Sequence, residues 1–365
     1  MVLNVLDGVW RWLFVPELVL AVSVFALDIV RRRRARTDVA TSPLDVSRAR
    51  RPRLTLRGAG VVLIVVAVAF VDDPHRDWTR PAGPSHVTGS LPNATNADHI
   101  YSVAVRTSPS WLLMRVWTGV HGAGHFTAPE RRLQQTLNDV AHVERGAEVR
   151  GAAYAYSGRP VTITGDGVTA SVGGASQGIA TGDIIHTVAG HPVRSVGEYL
   201  AALFRAFRAR DPFPVEVTRR GNPRDVTIDP TQPFHVAGRA RTGFTVDVGP
   251  DPVAVVDDGT TGSSDGVALV LGILVQLGTI AAPTRPVVAT GIVTVDGEVT
   301  DIADVDQKAV AAATVQPCVF LVPSHNVAAA RKSRPHLNVV GIDTIDDAVH
   351  ALTANGCYTP GTSSQ

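Results

Sequence analysis

Residues 257–278 read DDGTTGSSDG followed by VALVLGILVQLG. The first ten carry no apolar side chain, and the next twelve are almost wholly apolar. Such a junction has two readings. It is an N-capped core helix, or a loop that presents a nucleophilic serine at a helix start, where backbone N–H groups lack intrahelical partners.

The sequence that follows bears on the choice. Residues 287–313 read VVATGIVTVDGEVTDIADVDQKAVAAA. The strand-like GIVTV and EVTDI bracket Asp296-Gly297, a hairpin turn signal. Asp304 is placed to cap a helix, with Gln307 three residues on. On that helix Val305, Lys308, Ala309 and Ala312 fall at i, i+3, i+4 and i+7 and share a face. Of 34 basic residues only two, Lys308 and Lys332, are lysine. One of them therefore lies on an apolar stripe. Taken alone, it reads as a surface lysine lying along apolar neighbours.

At 365 residues and 45% hydrophobic, the chain is long enough for two or three domains with real cores. A net charge of +1 argues against a nucleic-acid partner. Two cysteines, Cys318 and Cys357, form neither a disulfide framework nor a CxxC pair. Cys318 starts a strand and Cys357 follows the last helix, so either a bridge between them or two free thiols satisfies the sequence.

Residues 10–30 and 54–71 are mostly apolar, and residues 31–57 between them carry ten Arg against Asp38 and Asp45. This reads as a membrane anchor over residues 1–72, of one or two spans with an Arg-rich cytoplasmic loop. The chain after it then faces outward from the cell membrane. A Pro/Gly/Ser-rich linker is expected over 73–97, an α+β segment over 98–159 and a short tail over 356–365. His121 and His125 offer a weak metal reading without a third ligand, and neither metal nor cofactor is assigned.

Residues 160–231 hold a turn, strand and turn in GDIIHTVAGHPV (182–193), a capping box at Ser195 and Glu198, and a hairpin around residues 220–223. The pattern Gly182-Asp183-x-Ile185-x-x-Val188-x-Gly190 resembles the PDZ domain of bacterial protease-associated proteins. The resemblance implies a peptide groove between the helix after Ser195 and a strand near Val168–Val172, where a peptide adds to a sheet edge.

GSSDG ahead of an apolar helix, then Thr290-Gly291, Lys308 on an Ala-rich helix and the strand CVFLVP, resembles the proteolytic domain of the Lon family, here over 235–355. With the anchor and the PDZ-like module, the chain resembles the bacterial membrane-anchored PDZ–Lon-type serine proteases. The resemblance implies an α+β fold and an endopeptidase acting on peptide or protein substrates. The family motif GPSAG maps to Gly262-Ser263-Ser264-Asp265-Gly266, which makes Ser264 the nucleophile. Its lysine maps to Lys308, 44 residues later, and its Thr-Gly to Thr290-Gly291. Gly262, Thr290 and Asp265 become supporting residues. A Ser-Lys dyad is sound chemistry, because a buried lysine that loses its proton can activate a serine.

Ser263 and Asp265 stand where the family has Pro and Ala. Asp265 opposes a developing oxyanion, and in contact with Lys308 it would raise that lysine's pKa. A second reading follows: a membrane-tethered peptide-binding scaffold with an inactive Lon-like domain. A Ser-His-Asp hydrolase using His325 is the weaker enzyme alternative, since G-S-S-D-G is no G-x-S-x-G elbow. No P-loop accompanies the dyad, so ATP-independent action on flexible substrates is expected. The sequence sets neither the cleavage preference nor the oligomeric state.

Overall fold

The structure is a computed structural model that describes residues 72–91, 96–111, 125–127, 144–239, 244–250, 252–256 and 263–358. All of them lie in one compact unit, Val65–Gln365. In chain order the strands and helices are β1 (Asp72–His86), β2 (Ile100–Trp111), β3 (His125–Thr127), α1 (residues 144–156), β4 (Thr162–Thr164), β5 (Val168–Val172), β6 (Ile184–Val188), β7 (His191–Pro192), α2 (Val196–Ala209), β8 (Phe213–Arg219), β9 (Asn222–Ile228), β10 (Val236–Arg239), β11 (Thr245–Asp247), α3 (Gly266–Gln276), β12 (Val287–Ala289), β13 (Ile292–Val293), β14 (Val299–Thr300), α4 (Val305–Ala312), β15 (Val319–Pro323), α5 (Val327–Ser333), β16 (Val339–Ile342) and α6 (Ile345–Ala354).

The larger sheet runs β16-β15-β12-β2-β1-β3. Strands β2, β12, β15 and β16 are parallel, and β1 pairs antiparallel with β2 and β3. Parallel strands are covered on both faces, which explains the unbroken apolar runs VVA and VFLVP. Val287, Ala289, Val319, Leu321 and Ile342 pack with α3 and α6. Their alternating neighbours Val288, Phe320, Val322 and Val339 pack with α4 and α5. Helix α3 is buried from Gly266 to Val275, as expected of a helix without a polar face. Leu269, Leu271, Ile273 and Leu274 are each at most 1% exposed and contribute about 1.5–3 kcal/mol apiece.

The second sheet, β10-β5-β6-β8-β9 with β7 beside β6, is antiparallel throughout and packs on α2. Ser195 caps α2 by accepting from the Glu198 N–H. Only half of the expected capping box forms. The Glu198 carboxylate reaches back to the Arg194 N–H at 2.6 Å instead. Buried Asp183 of the Gly-Asp motif accepts from the Ala180 N–H and from Arg219, so it ties the turn before β6 to β8.

Three expectations change. The architecture is mixed α/β rather than α+β, because parallel strands alternate with helices that cover both faces of the larger sheet. The transmembrane anchor is withdrawn. No helix among the described residues is long and apolar enough to cross a membrane, and residues 1–71, with both apolar segments, lie outside the description. The most apolar helix, α3, has 11 residues, about half of the ~20 that a span needs, and it serves as core. Finally, the stretch read as linker contributes β1, which follows β2 across two register shifts.

The outer edge of β5, expected to receive a peptide, is occupied by the chain's own β10. Tyr199 of α2 closes over β10. Its Oη donates to the Val236 carbonyl at 2.9 Å, and a Cβ on Gly238 would lie 2.8 Å from the Tyr199 ring. Glycine at 238 is what lets ring and strand approach. Three arginines flank the same helix and pair with acids on and after the β13–β14 hairpin: Arg194 with Asp296, Arg205 with Glu298 and Arg208 with Asp301.

Cys318 and Cys357 form a disulfide with Cα atoms 5.6 Å apart. It ties the start of β15 to the chain just after α6, so the expected tail is held at its beginning.

Candidate active site

Lys308 and Ser264 meet at the start of α3. Lys308 Nζ lies 2.7 Å from Ser264 Oγ and 3.3 Å from Thr290 Oγ1. Helix α4 delivers the lysine by the stripe seen in the sequence, since Val305, Lys308, Ala309 and Ala312 are all buried. The lysine is therefore no surface group. At 3% exposure, burial pulls its pKa from the ordinary 10.5 down to about 8, against the upward pull of Asp304 and then of Asp265. Ser264 is half-buried, while Lys308 is almost wholly buried.

The serine's backbone is clamped. Its carbonyl accepts from the Gly291 N–H at 2.7 Å and from Thr290 Oγ1 at 2.8 Å. Gly291 adopts φ +157°, and a Cβ there would stand 2.7 Å from Val299 and 2.8 Å from Val267. The Thr-Gly pair thus does two things. Threonine bridges serine and lysine, and glycine lets the chain after β12 pass close to α3. The first-turn N–H groups expected to serve an oxyanion are partly engaged, Gly266 with the Ser263 carbonyl and Val267 with the Gly291 carbonyl.

Asp265 occupies the N-cap position but makes no side-chain cap bond. Its Oδ2 lies 2.5 Å from Arg145 Nη1, and both residues are buried. Asp265 is thus ion-paired to α1, and its charge still acts on Lys308. Asp304 stands at the expected cap of α4, yet in the left-handed region at φ +55° and without a cap bond. Its negative charge is the stronger of the two acting on Lys308.

Arg145 was not found from the sequence. Glu144, Arg145 and Glu148 are charged, yet all three are at most 4% exposed. Glu144 accepts from the Val196 N–H at 2.6 Å. Glu148 accepts from the Gly197 N–H at 3.0 Å and from the Ser195 hydroxyl. These carboxylates satisfy the orphan donors that open α2. Burial outweighs those bonds and raises Glu144 to about 7 and Glu148 to about 8. Arg145, between them in sequence, therefore sits on a helix fixed to α2.

The remaining expected residues take no part in this cluster. Gly262 and His121 lie outside the described residues. His325 is exposed in the turn after β15. No group of three His, Cys, Asp or Glu able to hold a metal occurs among the described residues. A cleft of about 140 Å³ between α2 and the β13–β14 hairpin is lined by His191, Arg194, Glu198, Arg205, Asp296 and Glu298 and does not include Ser264. Its charged groups are paired with one another, so it offers no unmet polar group to a ligand.

Compared with models of known protein families and with characterised proteins, the chain has no match.

Proposed function

We propose that the chain is a serine peptidase of the Ser-Lys type, with a Lon-like proteolytic domain beside a PDZ-like module whose β5 edge is filled by its own β10. The observation that carries this is the 2.7 Å contact between Ser264 Oγ and a buried lysine whose pKa is lowered to about 8. Neutral Lys308 takes the Ser264 proton as the hydroxyl attacks a peptide carbonyl. The resulting ammonium then gives that proton to the leaving amine, and water releases the acyl group by the reverse transfers. Thr290 supports the lysine's orientation, because its hydroxyl accepts from Nζ while donating to the Ser264 carbonyl. Peptide substrates that need no unfolding suit such a site. The Cys318–Cys357 bond supports residence in an oxidising compartment.

The test is turnover of an unfolded protein substrate, together with labelling by a serine-reactive fluorophosphonate. Wild type should cut and label, while Ser264→Ala and Lys308→Ala should do neither. The second reading, a peptide-binding scaffold with an inactive Lon-like domain, is favoured by the acid that follows Ser264. It predicts peptide binding that survives Ser264→Ala, with no cleavage by any form.

A further inference from the structure

Asp265 poses a problem to the site just described. A carboxylate next to the nucleophile opposes the alkoxide and the oxyanion, and in contact with Lys308 it would hold the lysine charged. The structure answers it with a buried cation from a distant element. Arg145 Nη1 meets Asp265 Oδ2 at 2.5 Å, with side-chain exposures of 3% and 11%. Arg145 does not float. Helix α1 is pinned on either side of it by Glu144 and Glu148, which hold the N-terminal N–H groups of α2. We propose that Arg145 is a positioning residue of the Ser264–Lys308 site: it holds the Asp265 carboxylate in an ion pair to α1, which offsets that charge at the lysine and at the developing oxyanion, and so lets an acid follow the nucleophile.

Among the described residues, two acids act on the lysine. Asp304, at the start of the lysine's own helix, and Asp265, at the start of α3, raise its pKa. Arg145, from α1, pairs with the second of these and offsets part of its charge, and leaves the first in place. Burial then prevails, and the lysine remains able to lose its proton near neutrality. Without Arg145 the carboxylate loses this ion pair, and its charge acts on Lys308 with that counter-ion gone. The inference rests on the peptidase reading for its purpose, though not for its measurement.

The experiment uses the two-lysine composition. In the full-length chain labelled with nitrogen-15 lysine, only Lys308 and exposed Lys332 give side-chain signals, so Lys308 can be titrated directly. Arg145→Ala should move its midpoint upward by about one pH unit or more, with the pH profile of cleavage moving alongside. Adding Asp265→Ala should bring the midpoint back to or below that of wild type. In the Asp265→Ala background, Arg145→Ala should change nothing. Arg145→Gln, which keeps the shape and some hydrogen bonding, should show the same upward shift and serves if Arg145→Ala does not fold. An unmoved midpoint in either variant, or a shift that persists without Asp265, overturns the proposal. Titration shifts of this pattern in a protein that cuts nothing would sustain the pairing and discard the peptidase reading alone.

Discussion

The amine of Lys308 lies 2.7 Å from the hydroxyl of Ser264, brought there by two helices that begin 39 residues apart in sequence, at Gly266 and Val305. A hydrogen bond of this length passes a proton in either direction. Which way it runs depends on whether the lysine is charged.

Activity should therefore rise with pH through a midpoint near 8, where Lys308 loses its proton. Lys308→Arg should be inactive across the whole range, because a guanidinium stays charged. Ser264→Ala, Lys308→Ala and the double variant should be equally inactive, since the two groups act as one unit. Initial rates on an unfolded substrate between pH 6 and 10 check this. A flat profile, or cleavage by Lys308→Arg, removes the lysine from the chemistry.

The same burial costs stability. Lys308 has a folded pKa near 8 and an ordinary value of 10.5, so the unfolded chain binds more protons between the two. Stability should rise as pH climbs from about 8 to 10.5, and the penalty is full below 8. Lys308→Met removes the buried amine at nearly equal length. It should stabilise the protein at pH 6 by on the order of 1–3 kcal/mol, with the gain fading towards pH 10. Denaturant unfolding at both pH values measures the difference, and a destabilised Lys308→Met at pH 6 contradicts the account.

Glu144 and Glu148 work in the opposite sense. Their folded pKa values, about 7 and about 8, lie above the ordinary 4.5. The stability linked to them is complete below about 4.5 and is lost as pH rises through 7 to 8. Glu148→Gln keeps an acceptor for the Gly197 N–H and the Ser195 hydroxyl without a charge. It should flatten the fall in melting temperature between pH 5 and pH 9 and make the variant the more stable form at pH 9. A variant that loses as much stability over that range as wild type rules out Glu148 as its source.

The Cys318–Cys357 bridge closes a loop with a sequence separation of 39 residues. Replacing both cysteines with serine should lower stability by about 2–4 kcal/mol, mostly at the β15–α6 end of the larger sheet. Thiol titration of unreduced, denatured protein should find no free thiol. Two thiols per chain would show that the bridge does not form.

Much of this protein is written in short range. The apolar runs VVA and VFLVP announce strands covered on both faces, the residues around Asp296-Gly297 announce a hairpin, and the 3.6-residue spacing around Lys308 announces a buried face. These signals are legible because a backbone's period and its turn residues act over a few positions. The junction at residues 257–278 and a lysine kept in an arginine-rich chain drew attention to Ser264 and Lys308, and the resemblance to the Lon motif singled them out. Where the β10 strand would pair was not legible, since the edge of β5 accepts any extended segment and nothing local says which one arrives. Nor could Asp265 be assigned a partner. Its arginine stands 120 residues away on another helix, and only packing buries Glu144, Arg145 and Glu148. The sequence by itself determined many of the elements, because periodicity and turn chemistry are local, and it pointed to Ser264 and Lys308 through a family resemblance. The tertiary structure alone decided which charges meet in the core, because in a low-dielectric interior a carboxylate's effect depends on the cation that reaches it and not on its neighbours in the chain.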